Sequence, residues 1–379
     1  MRNRLVAFGG GLGVLLILAC AGNDIRLNIT PDPQNIYAGY KGGASRSGYI
    51  DVSHADTLSD IWKIKFRYPL HFPPALAGNY LFQPGNDKKI QVIDGNTGVE
   101  TAERRLKRPI ACSPELSDSF MVICDELEDD NLLVINYLTG RLVWKGKVLR
   151  PNLPPALYEN KIFWVDKEKS LVASRLEDGK EIWRSELGGF LDGGPIICEN
   201  YVLVAHSDSM LECYAINDGN LKWRRKIPAR TNSSPAYFDN RIYLCLGDGQ
   251  VICIDLVTGE LLWKFVDKPR LFFSPALDST GLYYGNADGR LVKLNRLSGK
   301  KIWEYSTNTP IRGTALVTRD AVIFGGLDHN VYMIASSDGR LIASYKTKGM
   351  IMAAPAIIDN RLFIAARDKY LYCLSLIGE

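Results

Sequence analysis

Enzyme chemistry needs side chains that converge, and this 379-residue chain offers few at suggestive spacing. Its four histidines, His54, His71, His206 and His329, stand singly, which leaves little for a His-based metal or acid–base site. The run Asp125–Asp130 (Asp-Glu-Leu-Glu-Asp-Asp) has the oxygen ligands of a calcium loop. It lacks the glycine that such a loop needs for its sharp turn, so it reads as a solvated hairpin tip. Asp248-Gly249, Asp288-Gly289 and Asp328-His329 recur at one kind of turn and read as hairpin residues, not metal ligands. Of eight cysteines no two are adjacent and no CxxC occurs, which excludes a CxxCH haem site. The residues themselves thus suggest no catalytic group, no metal site and no cofactor.

Composition sets the class. With 46% hydrophobic and 23% charged residues the chain can bury a core, and global disorder is excluded. Gly (34) and Tyr (18) are plentiful, as in turn-rich β proteins. Residues 1–19 read as a secretion leader, with Arg2 and Arg4 before an apolar run from Leu12 to Leu18. Removing those two arginines takes the formal charge from +4 to +2, which is no nucleic-acid footprint. The run is also short for a permanent bilayer span, which needs roughly 20 apolar residues. Ile17-Leu18-Ala19-Cys20 resembles the lipobox of bacterial lipoproteins, and the resemblance implies lipidation of Cys20. Ala21 behind it implies, by likeness to Gram-negative sorting, an outer-membrane anchor facing the periplasm. Residues 20–58 read as anchor, tether and irregular lead-in, and 59–379 as the folded body.

Seven cysteines remain after Cys20, so they cannot all pair within the chain. Cys213, Cys253 and Cys373 occupy one position of the repeat described next, on different units and too far apart to bridge. Buried thiols acting as small apolar fillers are expected.

Internal repetition fixes the architecture. Trp183, Trp223, Trp263 and Trp303 are spaced by 40, and Trp144 lies 39 before the first. Gly140, Gly179, Gly219, Gly259 and Gly299 each precede one of them by four, and Gly339 precedes Ala343. A proline follows about 12 later, at Pro155, Pro195, Pro235, Pro275 and Pro355; Pro74 follows Trp62 likewise, Pro114 closes the degenerate first unit, and Ala315 fills the one empty slot. Residues 60–379 hold eight such units of 40. Within one, Ser234–Phe238, Arg241–Leu246, Gln250–Asp255 and Glu260–Val266 are strand-like runs divided by hairpin-forming residues. These connections are too short for helical crossovers, so the strands pair antiparallel. A four-stranded sheet buries both faces only by packing radially against neighbours, which predicts an all-β, eight-bladed β-propeller. Residues 61–66 read as a fourth strand with no unit before it, and Tyr370–Leu374 as a third strand with none after it. The N-terminal strand should therefore complete the last blade and remove two open edges. The repeated Trp reads as a cover over the gap between blades, with the glycine allowing a tight turn at positive φ.

Units such as 249–265 (GQVICIDLVTGELLWKF) and 289–305 (GRLVKLNRLSGKKIWEY) resemble the PQQ-type propeller repeat. Two subfamilies carry it: large quinoprotein dehydrogenases and BamB-type lipoproteins of the outer-membrane β-barrel assembly machinery. Length, lipobox, eight units and N-terminal closure are similar to the BamB type. That resemblance implies a non-enzymatic periplasmic scaffold whose partner is the barrel-inserting subunit. The dehydrogenase alternative implies a vicinal Cys pair, a Trp stacked on the quinone and calcium ligands beside a catalytic Asp. The chain has no adjacent cysteines, and the repeat accounts for every Trp except Trp164. A scaffold of another envelope assembly or secretion system is a third reading. The BamB contact pattern is incomplete: Arg230 and Arg270 stand five before their prolines without the expected neighbours, Ile311-Arg312-Gly313 is displaced by about two positions, and the Asp-x-Asp is absent.

The fixed register also defines a ring. Phe190, Arg230, Arg270, Pro310 and Met350 occupy one position on successive units, near the axis on one face. Leu191, Leu271, Phe272, Phe273, Ile311, Arg312, Ile351 and Met352 lie close by. Aromatic, Met and Arg side chains are those that interfaces enrich, so Phe190, Leu191, Arg230, Arg270, Phe272, Arg312 and Met350 are candidate partner-binding residues. In the alternative, the apolar members point into the funnel and only the arginines are wet.

Overall fold

Eight antiparallel sheets form the described chain, and in all but the last the four blade strands follow one another in sequence. Blade 5 is representative: Ala236–Phe238, Arg241–Cys245, Gln250–Asp255 and Leu261–Val266, from the axis outward. The computed structural model describes residues 36–37, 47–52, 57–126, 129–231, 233–271 and 273–377. The leader, Cys20 and Phe272 lie outside these. Blade 1 spans 75–105, blade 2 115–146, blade 3 156–186, blade 4 196–226, blade 6 276–306 and blade 7 316–346. Blade 8 takes three strands from 356–375, and Ser59–Lys65 pairs on Tyr370–Ser375 as its fourth. The ring therefore closes by strand pairing, as the sequence predicts.

The core is divided among the blade interfaces. Eight apolar clusters each join residues of two neighbouring blades. Between blades 4 and 5, for example, Leu203, Leu211 and Cys213 meet Ile242, Leu244, Ile252 and Leu256. Strand alternation explains this: each blade sends alternate side chains to opposite faces, and each face meets a different neighbour.

The repeated indole crosses that interface. Trp223 Nε1 donates to Leu256 O of the next blade at 2.8 Å, Trp183 to Ile216 O at 2.9 Å and Trp303 to Ser336 O at 3.1 Å. Its ring lies on the next unit's glycine: a Cβ on Gly259 would fall 2.7 Å from Trp223, and Gly219, Gly299 and Gly339 stand likewise against Trp183, Trp263 and Trp303. The glycine thus serves both a positive φ, +70° at Gly259, and a close approach that any side chain would block. Each Trp also follows a β-bulge, which skips residue 222 between the Cys213–Trp223 and Tyr214–Leu221 pairs. The two units without Trp use tyrosine. At the blade 1–2 interface Tyr137 is fully buried against Phe82 (centroids 5.3 Å apart) and donates to Asp118 O at 2.7 Å. At the blade 7–8 interface Tyr345 meets Tyr372 edge-on and donates to Asp60 at 2.6 Å.

The lead-in also joins the ring. Ile36–Tyr37 pairs antiparallel on the inner strand of blade 1. Residues 47–52 run along blades 6 and 7, where Leu277 N donates to Ser47 O, Val317 N to Gly48 O and Ile50 N to Val317 O, each at 2.8 Å. Tyr49 bridges Val317 in parallel, and Ile50 and Val52 pack on the blade 7–8 core. This backbone lies on the inner edges that face the axis.

Two stability outcomes follow. Trp223→Ala should lower unfolding free energy in denaturant titration by about 3–5 kcal/mol, because it removes a buried indole and leaves a cavity. Deleting residues 59–65 should lower the melting temperature in one cooperative step; an unchanged transition would contradict closure by this strand.

Candidate protein-docking face

Loops that lead into the inner strands share one face, here the upper face, with the turns between second and third strands. In blades 4, 5, 6 and 8 the loop is pinned to that turn by the backbone. Ser207 N donates to Phe190 O at 2.8 Å, Gly247 N to Arg230 O at 2.9 Å, Ala287 N to Arg270 O at 3.1 Å and Arg367 N to Met350 O at 2.9 Å. The ring positions are therefore held rigidly although they lie in loops.

Pinned extended backbone alternates its side chains, and this divides the candidate residues. Phe190 (46% exposed) and Met350 (37%) face solvent, as do Arg230, Arg270 and Arg312. The residue after each ring position faces inward: Leu191, Thr231, Leu271, Ile311 and Ile351 are all buried. Leu191 belongs to the apolar core between blades 3 and 4, so it has no surface to offer a partner. Ile351 enters space left by a glycine, since a Cβ on Gly325 would fall 2.1 Å from its Cγ2. The register thus contains both sequence readings at once, with exposed Arg, Phe and Met above a buried aliphatic layer.

Electrostatics organises the exposed layer. Arg230 Nη2 lies 3.5 Å from Asp192 Oδ1, whose side chain is only 4% exposed. Burial raises the Asp192 pKa, against the lowering fields of Arg230 and Arg150. Arg150 reaches across to donate to Leu191 O, which ties neighbouring loops together. Lys169 Nζ lies 4.3 Å from the centre of the Phe190 ring, a cation–π contact at the surface. The sequence displays Asp192 beside Phe190 and Leu191, but its pairing with an arginine 38 residues away needs the propeller register.

Beneath the Phe190 loop lies a polar group that single histidines do not announce. His206 is fully buried with Nε2 2.9 Å from Glu212 Oε2, and the Tyr214 hydroxyl donates to the same oxygen at 2.6 Å. Arg224 Nε donates to Glu212 Oε1. Burial works against the Glu212 charge, but these donors prevail and its pKa is lowered. The strand pair Val204–Glu212 brings these residues together. With its carboxylate satisfied and no opening onto the funnel lining, the group supports the loop above it.

At the axis the upper face opens into a cavity of about 310 Å³. Its lining is mostly small or apolar, including Gly193, Gly194, Ala353, Ala354, Phe72 and Phe273. Asp192, Asn152, His71 and Cys112 are its more reactive members, and no tryptophan lines it. Trp164 instead lies half-buried in a separate cleft beside Val148, Leu149 and Arg150. Among the described residues no three His, Cys, Asp or Glu side chains converge as metal ligands. At the tip of the acidic run, part of which lies outside the described residues, Asp129 is 3.3 Å from both Lys147 and Lys167. Those lysines lower its pKa, as expected of an exposed acid among bases.

Solved structures reproduce this architecture. BamB from Moraxella catarrhalis aligns over 84% of this chain and 99% of its own, with a TM-score of 0.70 at 17% identity. The computationally designed Ika8 protein aligns over 85% and 100%, with a TM-score of 0.70 at 14% identity. Quinohemoprotein alcohol dehydrogenase from Comamonas testosteroni aligns over 92% and 82%, with a TM-score of 0.73 at 11% identity. At such identities the likeness establishes the fold, which scaffolds and quinoprotein dehydrogenases share. No curated protein matches the chain. A family model described as outer membrane protein assembly factor BamB matches residues 46–189 and 167–378. Together the two matches span the propeller, and the chain belongs to the BamB family of PQQ-type repeat propellers.

Proposed function

We propose that this chain is a non-enzymatic scaffold lipoprotein, anchored to the outer membrane through Cys20, that docks the barrel-inserting subunit on its upper face. Family membership supports the assembly role. The observation that carries the docking surface is the set of ring residues Phe190, Arg230, Arg270 and Met350, exposed on loops whose backbone is pinned, with exposed Arg312 beside them. Aromatic, Met and Arg side chains on a rigid frame lose little freedom on binding, which is what gives an interface its few dominant contacts. The arginines favour a partner surface bearing carboxylates. Here the funnel lining has no indole to stack on a quinone and no adjacent cysteines, and its one carboxylate is engaged by Arg230.

Charge reversal tests the surface. Arg230→Glu, Arg270→Glu and Arg312→Glu together should weaken pull-down of the barrel-inserting subunit by about tenfold or more, in a variant that still melts cooperatively. Undiminished capture by the folded variant would remove the docking proposal. A cofactor titration tests the non-enzymatic part: adding pyrroloquinoline quinone and calcium should change neither the quinone absorbance nor the rate of dye reduction with alcohols. Stoichiometric binding with turnover would replace the scaffold reading by a dehydrogenase.

A further inference from the structure

The cysteines contain a pair that spacing conceals. Cys112 lies in the loop entering blade 2, and Cys124 ends that blade's second strand, Phe120–Cys124. The loop is pinned there, with Ile110 bridged to Asp125 and Ala111 N donating to Cys124 O at 2.9 Å. The two side chains share the apolar cluster between blades 2 and 3, near enough that Cys112 acts on the titration of Cys124. Their settings differ. Cys112 lines the 310 Å³ funnel cavity, whereas Cys124 is fully buried. Two other pairs, each within one blade, are held apart by strand geometry. Cys198 and Cys213 lie on strands separated by a third, and Cys245 and Cys253 are offset by two residues along paired strands. Both separations exceed the roughly 7 Å that a disulfide spans between Cα atoms.

We infer that Cys112 and Cys124 form a redox-responsive dithiol, which closes to a disulfide when a small disulfide reaches the upper funnel. The chemistry balances as two exchanges. The Cys112 thiolate attacks one sulfur of the donor disulfide, and the other leaves as a thiolate that takes up the proton Cys112 released. Cys124 then loses its proton and attacks Cys112 Sγ in the mixed disulfide, and the second donor thiol leaves. The protein loses two protons and two electrons, and one donor disulfide becomes two thiols. Cys112 acts first because it alone of the two reaches the cavity, and Cys124 resolves because it lies against Cys112 and away from solvent. The neighbouring Cys112 and burial both raise the Cys124 pKa, so it is a poor first nucleophile. The bond would tie a funnel-lining loop to the end of the strand before the acidic run. This inference does not depend on the docking proposal.

The test uses the full chain, reduced, then exposed to oxidised glutathione and alkylated after denaturation. A glutamyl endoprotease cutting after Glu115 places the two cysteines in separate peptides, joined only by the new bond. The expected result is a linked pair of peptides lighter by the two thiol hydrogens, with the other cysteines still alkylated. Cys124→Ser should stop at the glutathione adduct on Cys112, and Cys112→Ser should prevent both products. The unmutated chain gives the decisive readout whether or not the variants fold. Full alkylation of Cys112 and Cys124 after oxidant, or a disulfide between other cysteines instead, would overturn the inference.

Discussion

The structure depends on apolar burial between sheets that have no core of their own. Each interface gathers eight or more buried side chains from two blades, as in the smallest cluster, between blades 2 and 3. A buried aliphatic side chain contributes about 1.5–3 kcal/mol, against about 0.5–1.5 kcal/mol net for a hydrogen bond. Burial therefore holds the ring together, while the indole hydrogen bond fixes how adjacent blades sit. Because every blade depends on two neighbours, an unclosed ring would expose two apolar faces. The Ser59–Lys65 strand is the physical answer to that constraint.

The same constraint places function on the loops. Strand side chains are committed to neighbouring blades, so the upper face is where side chains can vary without loosening the ring. The hydrogen bonds from the second turn of blades 4, 5, 6 and 8 convert a loop into a fixed bearing. Alternation then sets a buried residue, aliphatic except at Thr231, behind each ring position. Asp192 and Arg230 add a buried-to-exposed ion pair, and the His206–Glu212–Arg224 group underlies the most aromatic point of the ring. The lower part of the axis is lined on one side by the protein's own residues 47–52. These features favour binding at a rigid surface over chemistry at the centre.

Much of the fold is legible in the sequence because the constraint repeats. A Trp, a Gly and a Pro at fixed steps specify the interface, and eight repetitions leave little freedom of topology. The Trp-to-Gly contact is harder to read, since the glycine four residues before Trp183, Trp223, Trp263 and Trp303 actually serves the preceding blade's indole. The tyrosines at the two Trp-less interfaces were equally hidden: Tyr137 and Tyr345 sit at different steps of the repeat. The candidate face was legible in position but not in orientation. Register put Phe190 and Leu191 together, and only backbone pinning turned one outward and the other into the core. The Cys112–Cys124 contact and the lead-in pairing involve irregular backbone, where no period carries information.

The central claim is that the upper loops are the working surface, and site-specific photo-crosslinking in intact cells tests it most directly. A photoreactive residue at Phe190, Arg270 or Met350 should capture the barrel-inserting subunit. The same residue at Val257 or Leu297, exposed turns on the opposite face, should not. Capture of that subunit from the opposite face with none from the upper ring would contradict the account.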